Sequence, residues 1–206
     1  MNYTLPMNSR GHRGFVGFRV QDPTGQDKRA PLALRRASYD ADHRPDAKTK
    51  ERIAGLRFSV KGDKELPDIL DGFTSADQLT PAVSAALVDG LRSVIGDVAD
   101  FIPVPNLWDE HTDAPYEGPP YYFLNVLQWI NGWDADRTDI SAMYGKDGYM
   151  VAETLQSGTP VVNKDAVGDA VIWRDSRTRD LVIADPVKEV LETFDTASVW
   201  YRDLEI

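Results

Sequence analysis

The chain of 206 residues contains no cysteine. That excludes a disulfide framework, a thiolate zinc site and a thiol nucleophile. Histidine is scarce as well, with only His12, His43 and His111 available as side chains that exchange a proton near neutral pH. No run of apolar residues approaches the ~20 needed to cross a bilayer, and the opening segment MNYTLPMNSR lacks the apolar core of a secretory signal. These absences lead to the expectation of a soluble, cytoplasmic protein with no membrane partner.

What the chain does have is charge, divided by position. Residues 1–66 carry 14 Lys and Arg against 8 Asp and Glu, whereas residues 67–206 carry 9 against 25. An acidic surface of that size repels phosphate backbones and draws basic proteins. The expectation is a basic protein partner and no nucleic acid; the plainer alternative is that the acids only keep the chain dispersed. At 42% hydrophobic residues the chain can bury a core.

Along the chain, Gly14 to Val20 alternates as a strand does, and Leu32 to Leu34 reads as a short second one. Ser38 to Glu51 is polar throughout and reads as an exposed connection. Ile53 to Lys61 puts Leu56, Phe58 and Val60 on one face at period two, as in a half-buried strand. The division expected is residues 1–52, a basic strand and polar connection, followed by residues 53–206 as the main unit.

An internal repeat organises the main unit. Val83 to Phe101 lies over Ile183 to Tyr201 without a gap, pairing Val83 with Ile183, Leu87 with Val187, Leu91 with Leu191, Val94 with Phe194 and Phe101 with Tyr201. Both copies have apolar residues at helical spacing. Ser84 is placed to cap the first helix, and Asp185 before Pro186 to cap the second. Each helix leads into an extended segment, so the unit reads as strand, helix, strand, made twice. Chance agreement between two amphipathic helices is the alternative to duplication. The fold class expected is α+β, a mixed or antiparallel sheet with a few short helices.

Between the copies, Pro103 to Pro120 holds five prolines and reads as a long surface loop. Tyr121 to Trp129 suits a strand covered on both faces, and Asn131 to Asp139 is an acidic turn beside Trp133. Further strands are expected within Gly148 to Thr154, Asp169 to Arg174 and Asp180 to Ala184.

The order LPDIL (66–70), Val83 and Ser84 before a short helix, FIPVP (101–105), YYFLNVL (121–127), the acidic turn at 133–138 and a closing strand–helix–strand resembles the immunity proteins of bacterial polymorphic toxin systems. The family in question was long catalogued as a domain of unknown function and is named for a myxobacterial member. The resemblance covers about Ile53 to Ile206. It implies a non-enzymatic protein that binds and blocks a cognate secreted toxin acting in the cytoplasm, such as a nuclease, with no cofactor, no metal and no catalytic residues. It also gives the acids a use, because an acidic surface can occupy a basic groove made for phosphates. Trp108 with Asp109, Glu110, Asp113 and Glu117 is expected to form one contact patch, and Trp133 with Asp134 and Asp136 another. The alternative is that both tryptophans fill the core. Homo-oligomerisation is left open.

Other classes have weaker support. Glu110, His111 and Asp113 are the one cluster with metal-ligand chemistry, but neighbours in a proline-rich loop do not converge on an ion unaided. Gly11, Gly14 and Gly17 lack the Lys and Ser or Thr of a phosphate loop. A non-catalytic structural or adaptor component of a secretion or phage-derived assembly is the main alternative to the toxin inhibitor.

Overall fold

A computed structural model describes residues 1–8, 18–21, 24, 44–61, 65–70, 81–144, 150–156, 158–196 and 199–206. The described strands form three sheets and one two-stranded ribbon, with short helices beside them. The expected α+β class is what the structure shows.

The first sheet contains β4 (Ile69–Leu70), β5 (Ala82–Ser84), β9 (Tyr121–Val126) and β6 (Ala99–Pro103), in that order. β5 and β6 both run antiparallel to β9, which lies between them. Helix α2 (Ala85–Ile95) therefore leaves β5, crosses over β9 and returns the chain to β6. The largest sheet repeats this arrangement. Its order is β10 (Trp129–Ile130), β13 (Ile172–Asp175), β14 (Leu181–Ala184), β1 (Tyr3–Asn8) and β15 (Val199–Asp203). β14 and β15 flank β1 antiparallel, and α4 (Asp185–Glu192) makes the crossover. All ten residues matched in the repeat fall in one apolar cluster, with Val83, Leu87, Leu91, Ile183, Val187 and Leu191 buried and the other four packed against them. The two units thus share one core, built from the faces that their periodicity marks.

The caps differ in kind. Ser84 Oγ accepts a hydrogen bond from Leu87 N at 3.2 Å, as expected, and donates to Asp68. Ala184, not Asp185, precedes the second helix, and Asp185 sits in its first turn with its carboxylate accepting Asn2 N at 2.9 Å. An acid there still suits the positive end of the helix, while also fastening the start of β1.

Several expectations change. Residues 38–43 lie outside the described residues, but Ala47–Ala54 forms helix α1, capped by Asp46, whose carboxylate accepts Thr49 N at 2.7 Å. Only Thr49 and Ile53 of α1 are buried, so the sequence has almost no apolar stripe to betray it. Ile53 falls in the last turn of this helix, which ends at Ala54, and strand β3 covers Arg57–Val60. β2 (Phe18–Gln21) pairs with β3; residues 14–17 and 32–34 lie outside the described residues. The proline-rich segment is not all loop, since β7 (Leu107–Asp109) joins β3 in parallel and β8 (Ala114–Pro115) folds back on β7. β1 falls in a stretch where no strand was expected. Tyr3 and Leu5 on it are buried against a second cluster, and the Tyr3 ring meets Trp173 edge-on at 5.1 Å.

Candidate partner-binding site

The acidic segment 107–117 is built as a hairpin. β7 adds to β3, and Glu110 N donates to Val60 O at 2.9 Å, which anchors the turn to the neighbouring strand. Within the turn Asp109 accepts His111 N at 2.8 Å and Thr112 Oγ1 at 2.9 Å. The His111 amide and the Thr112 hydroxyl hold its carboxyl below the usual carboxylate range, so it is ionised at neutral pH. Asp113 adopts φ 50°, the left-handed conformation that Asp tolerates better than most residues. Its carboxylate accepts Trp108 Nε1 at 3.2 Å and stands 3.9 Å from a guanidinium nitrogen of Arg57. The Arg57 guanidinium lies over the Trp108 ring, 3.7 Å from its centre. Trp108 is thus half-buried, with Arg57 on one face and Asp113 at its edge.

Beside the hairpin lies a cleft of about 640 Å³. Glu65, Asp68, Asp109 and Glu117 line it, with Tyr116 and Tyr121 among its walls, and among the described residues its lining includes no Lys, Arg or His. The two tyrosine rings are 6.2 Å apart. Tyr121 donates to Pro67 O at 2.8 Å, and burial, reinforced by Tyr116 and Asp68, pushes its phenol well above the ordinary value. That side chain is a fixed, neutral wall. The Asp68 carboxylate is committed to Ser84 Oγ and to Asp195 N at 2.9 Å, whereas the side chains of Glu65 and Glu117 are exposed at the mouth.

Of the residues expected in the first patch, Trp108, Asp109, Glu110 and Asp113 share the hairpin, and Asp109 and Glu117 line the cleft. Glu65, Asp68, Tyr116 and Tyr121 were not singled out as site residues. The first two lie about forty residues before the hairpin and reach it through pairing that no local spacing announces.

The second patch is different. Trp133 is 2% exposed, sits in the second core cluster and donates its indole N–H to Thr178 Oγ1 at 3.0 Å. It is a core residue, and the expectation of an aromatic contact there is corrected: the bridge from Trp133 to Val162 turns it inward. Asp134 accepts the amides of Asp136 at 3.1 Å and Arg137 at 3.2 Å, and Asp136 is exposed beside it. This turn is tied to Val161 and not to the β2–β3–β7–β8 sheet that carries the hairpin.

Among the described residues no group of three or more His, Asp or Glu is placed to hold a metal ion, and Glu110, His111 and Asp113 do not form one. No described helix is long and apolar enough to cross a membrane.

Residues 13–205 match the model of a family described as Immunity protein family (Imm11). The chain belongs to the Imm11 immunity protein family. The match begins well before Ile53, where the resemblance read from the motifs begins, and takes in β2 and α1. No curated protein matches the sequence. Membership in Imm11 points in general to the neutralising of a toxin.

Proposed function

We propose that this protein binds the catalytic domain of a cognate secreted toxin acting in the cytoplasm, such as a nuclease, and blocks its active site without catalysing any reaction. The observation that carries this reading is the cleft beside the 107–115 hairpin, lined by Glu65, Asp68, Asp109 and Glu117 and, among the described residues, by no basic side chain. Enzymes acting on phosphates present Lys and Arg around the reacting group, and a carboxylate-lined concavity can engage the cations that would otherwise hold substrate. The net charge of −10 draws such a partner in from a distance. Trp108, braced by Arg57 and Asp113, adds an aromatic surface whose geometry is set before the partner arrives. Asp134 and Asp136 lie in another sheet's turn and add long-range attraction only.

The test is co-expression with the protein encoded immediately upstream, scored by host survival and by co-purification of the pair. Rescue with a stable complex is expected. The variant Glu65→Lys/Glu117→Lys changes two exposed carboxylates and leaves the hairpin's internal bonds in place. It is expected to weaken the complex at least tenfold and to flatten the dependence of affinity on salt. Unchanged affinity in that variant would discard the cleft as the contact, and absence of both toxicity and complex would discard the inhibitor reading.

A further inference from the structure

We infer that β15 is a dimerisation edge, pairing antiparallel with β15 of a second copy of this chain and joining two five-stranded sheets across a two-fold axis. The inference is independent of the toxin-binding reading, since no residue of β15 lines the acidic cleft.

β15 is an outer strand of its sheet. Leu204 N donates to Tyr3 O at 3.1 Å, and on the other side of β1 Asp185 N donates to Asn2 O at 3.2 Å, which fixes the alternation of the ladder. Trp200 and Arg202 therefore turn their backbone groups to Met7 and Leu5, their register partners on β1, while Val199, Tyr201 and Asp203 turn theirs outward. This outward row is closed at both ends. At one end Val199 N donates to Thr196 O at 2.8 Å. At the other, the segment that follows the ribbon of β11 (Ile140–Tyr144) and β12 (Met150–Leu155) runs beside Glu205. Glu205 N donates to Pro160 O at 3.1 Å, and its carbonyl accepts Val162 N at 2.8 Å. Between these closures Val199 O and the N–H and C=O of Tyr201 and Asp203 have no partner among the described residues.

The open groups match a second copy of themselves. With Tyr201 set opposite the second copy's Tyr201, each Tyr201 N meets the other's Tyr201 O, and each Asp203 N meets the other's Val199 O. This register takes up both open donors and leaves only the Asp203 carbonyl to water. The side chains fit the same register. Trp200 and Arg202 share the face opposite to Val199 and Tyr201, which pack on the core. Each Trp200 then stands directly across from the second copy's Arg202, and two cation–π contacts form by symmetry. Trp200 is 42% exposed in the single chain, and Arg202 bonds Gly158 O through one guanidinium nitrogen, which leaves its planar face for stacking. β15 carries one charge of each sign, Arg202 and Asp203, so the edge brings no excess of like charge. The net charge of −10 on each copy acts from further away and is screened beyond about 8 Å at physiological salt.

The first repeat provides a contrast. Its outer strand at the matching place is β6, where Asp100 stands in the position of Trp200 and Arg44, from outside the sheet, holds it at 3.0 Å. The second repeat puts an exposed indole there instead.

The experiment is sedimentation equilibrium of the full chain from about 1 µM to about 500 µM, a range that spans the affinities of short edge contacts. It compares the wild type with Trp200→Arg, which sets arginine against arginine, and with Asp203→Pro, which removes an outward N–H and no bond within the chain. Circular dichroism and thermal unfolding identify the folded variants. The expected result is a wild-type dimer, with dimerisation weakened roughly tenfold or more in each variant. A wild type that stays monomeric over the whole range would overturn the inference, as would a dimer of wild-type strength in either folded variant. A monomeric wild type whose binding of the upstream-encoded toxin is lost in Asp203→Pro would also overturn it, and would assign the edge to a strand of the toxin.

Discussion

Gly90 lies against Val190, and the two hold the same place in the two repeats. A Cβ added at Gly90 would come within 3.1 Å of Val190 Cγ1 and of the Phe194 ring. Equivalent positions meeting where the helices cross is the arrangement expected near an approximate two-fold axis, and glycine on one side makes room for valine on the other. Gly90→Val, which would make the two positions identical, is therefore expected to lower stability by roughly 1–3 kcal/mol through overpacking. Thermal unfolding reads this; an unchanged midpoint would show that the helices separate without strain.

Ser84 serves two units at once. Its hydroxyl caps α2 and donates to Asp68, whose other carboxylate oxygen accepts Asp195 N from the far end of the second repeat. Ser84→Ala removes the cap and one support of that link, with an expected loss of about 1–2 kcal/mol. Chemical denaturation measures it.

Asp175 is fully buried, and its carboxylate accepts the amides of Gly132, Arg177 and Thr178, each at 2.9 Å. Asp175→Ala leaves buried N–H groups without acceptors and loosens the Trp133–Thr178 contact that the same turn supports. The expected cost is roughly 3–5 kcal/mol, large for a single substitution. A urea midpoint close to wild type would mean that water replaces the carboxylate.

Asp180, 7% exposed, gives a pH signature. Burial, with the nearby Asp175 charge adding to it, raises its carboxyl above the ordinary value. The folded state then holds a proton that the unfolded state gives up, so stability falls as pH rises from the ordinary carboxylate range through the raised value. Asp180→Asn abolishes that loss, and the Tm advantage of the variant over wild type is expected to grow from pH 4 to pH 7. An advantage independent of pH would show that folding leaves the Asp180 carboxyl at its ordinary value.

The parts that were legible in the sequence are those that carry their own periodicity. α2 and α4 show an apolar stripe, and β9 shows an aromatic and aliphatic run, broken only by Asn125, that matches its place inside a sheet. α1 was hidden because two buried residues make no stripe, and β7 and β8 because strands of three and two residues are too short to show a repeated alternation. Trp108 and Trp133 stand in similar acidic surroundings in the sequence. Their fates diverge through pairings made far away, with β3 for one and with Val162 for the other. The cleft shares that origin, since Glu65 and Asp68 reach Asp109 and Glu117 only when the sheets are in place.

The place of β1 sets an order for closing the largest sheet. β1 pairs with β14 and β15, about 180 to 200 residues further along the chain. Pairings over such separations are slow to form. β1 therefore joins the sheet only once β14 and β15 are present, and a chain stalled before β14 leaves that strand without either neighbour.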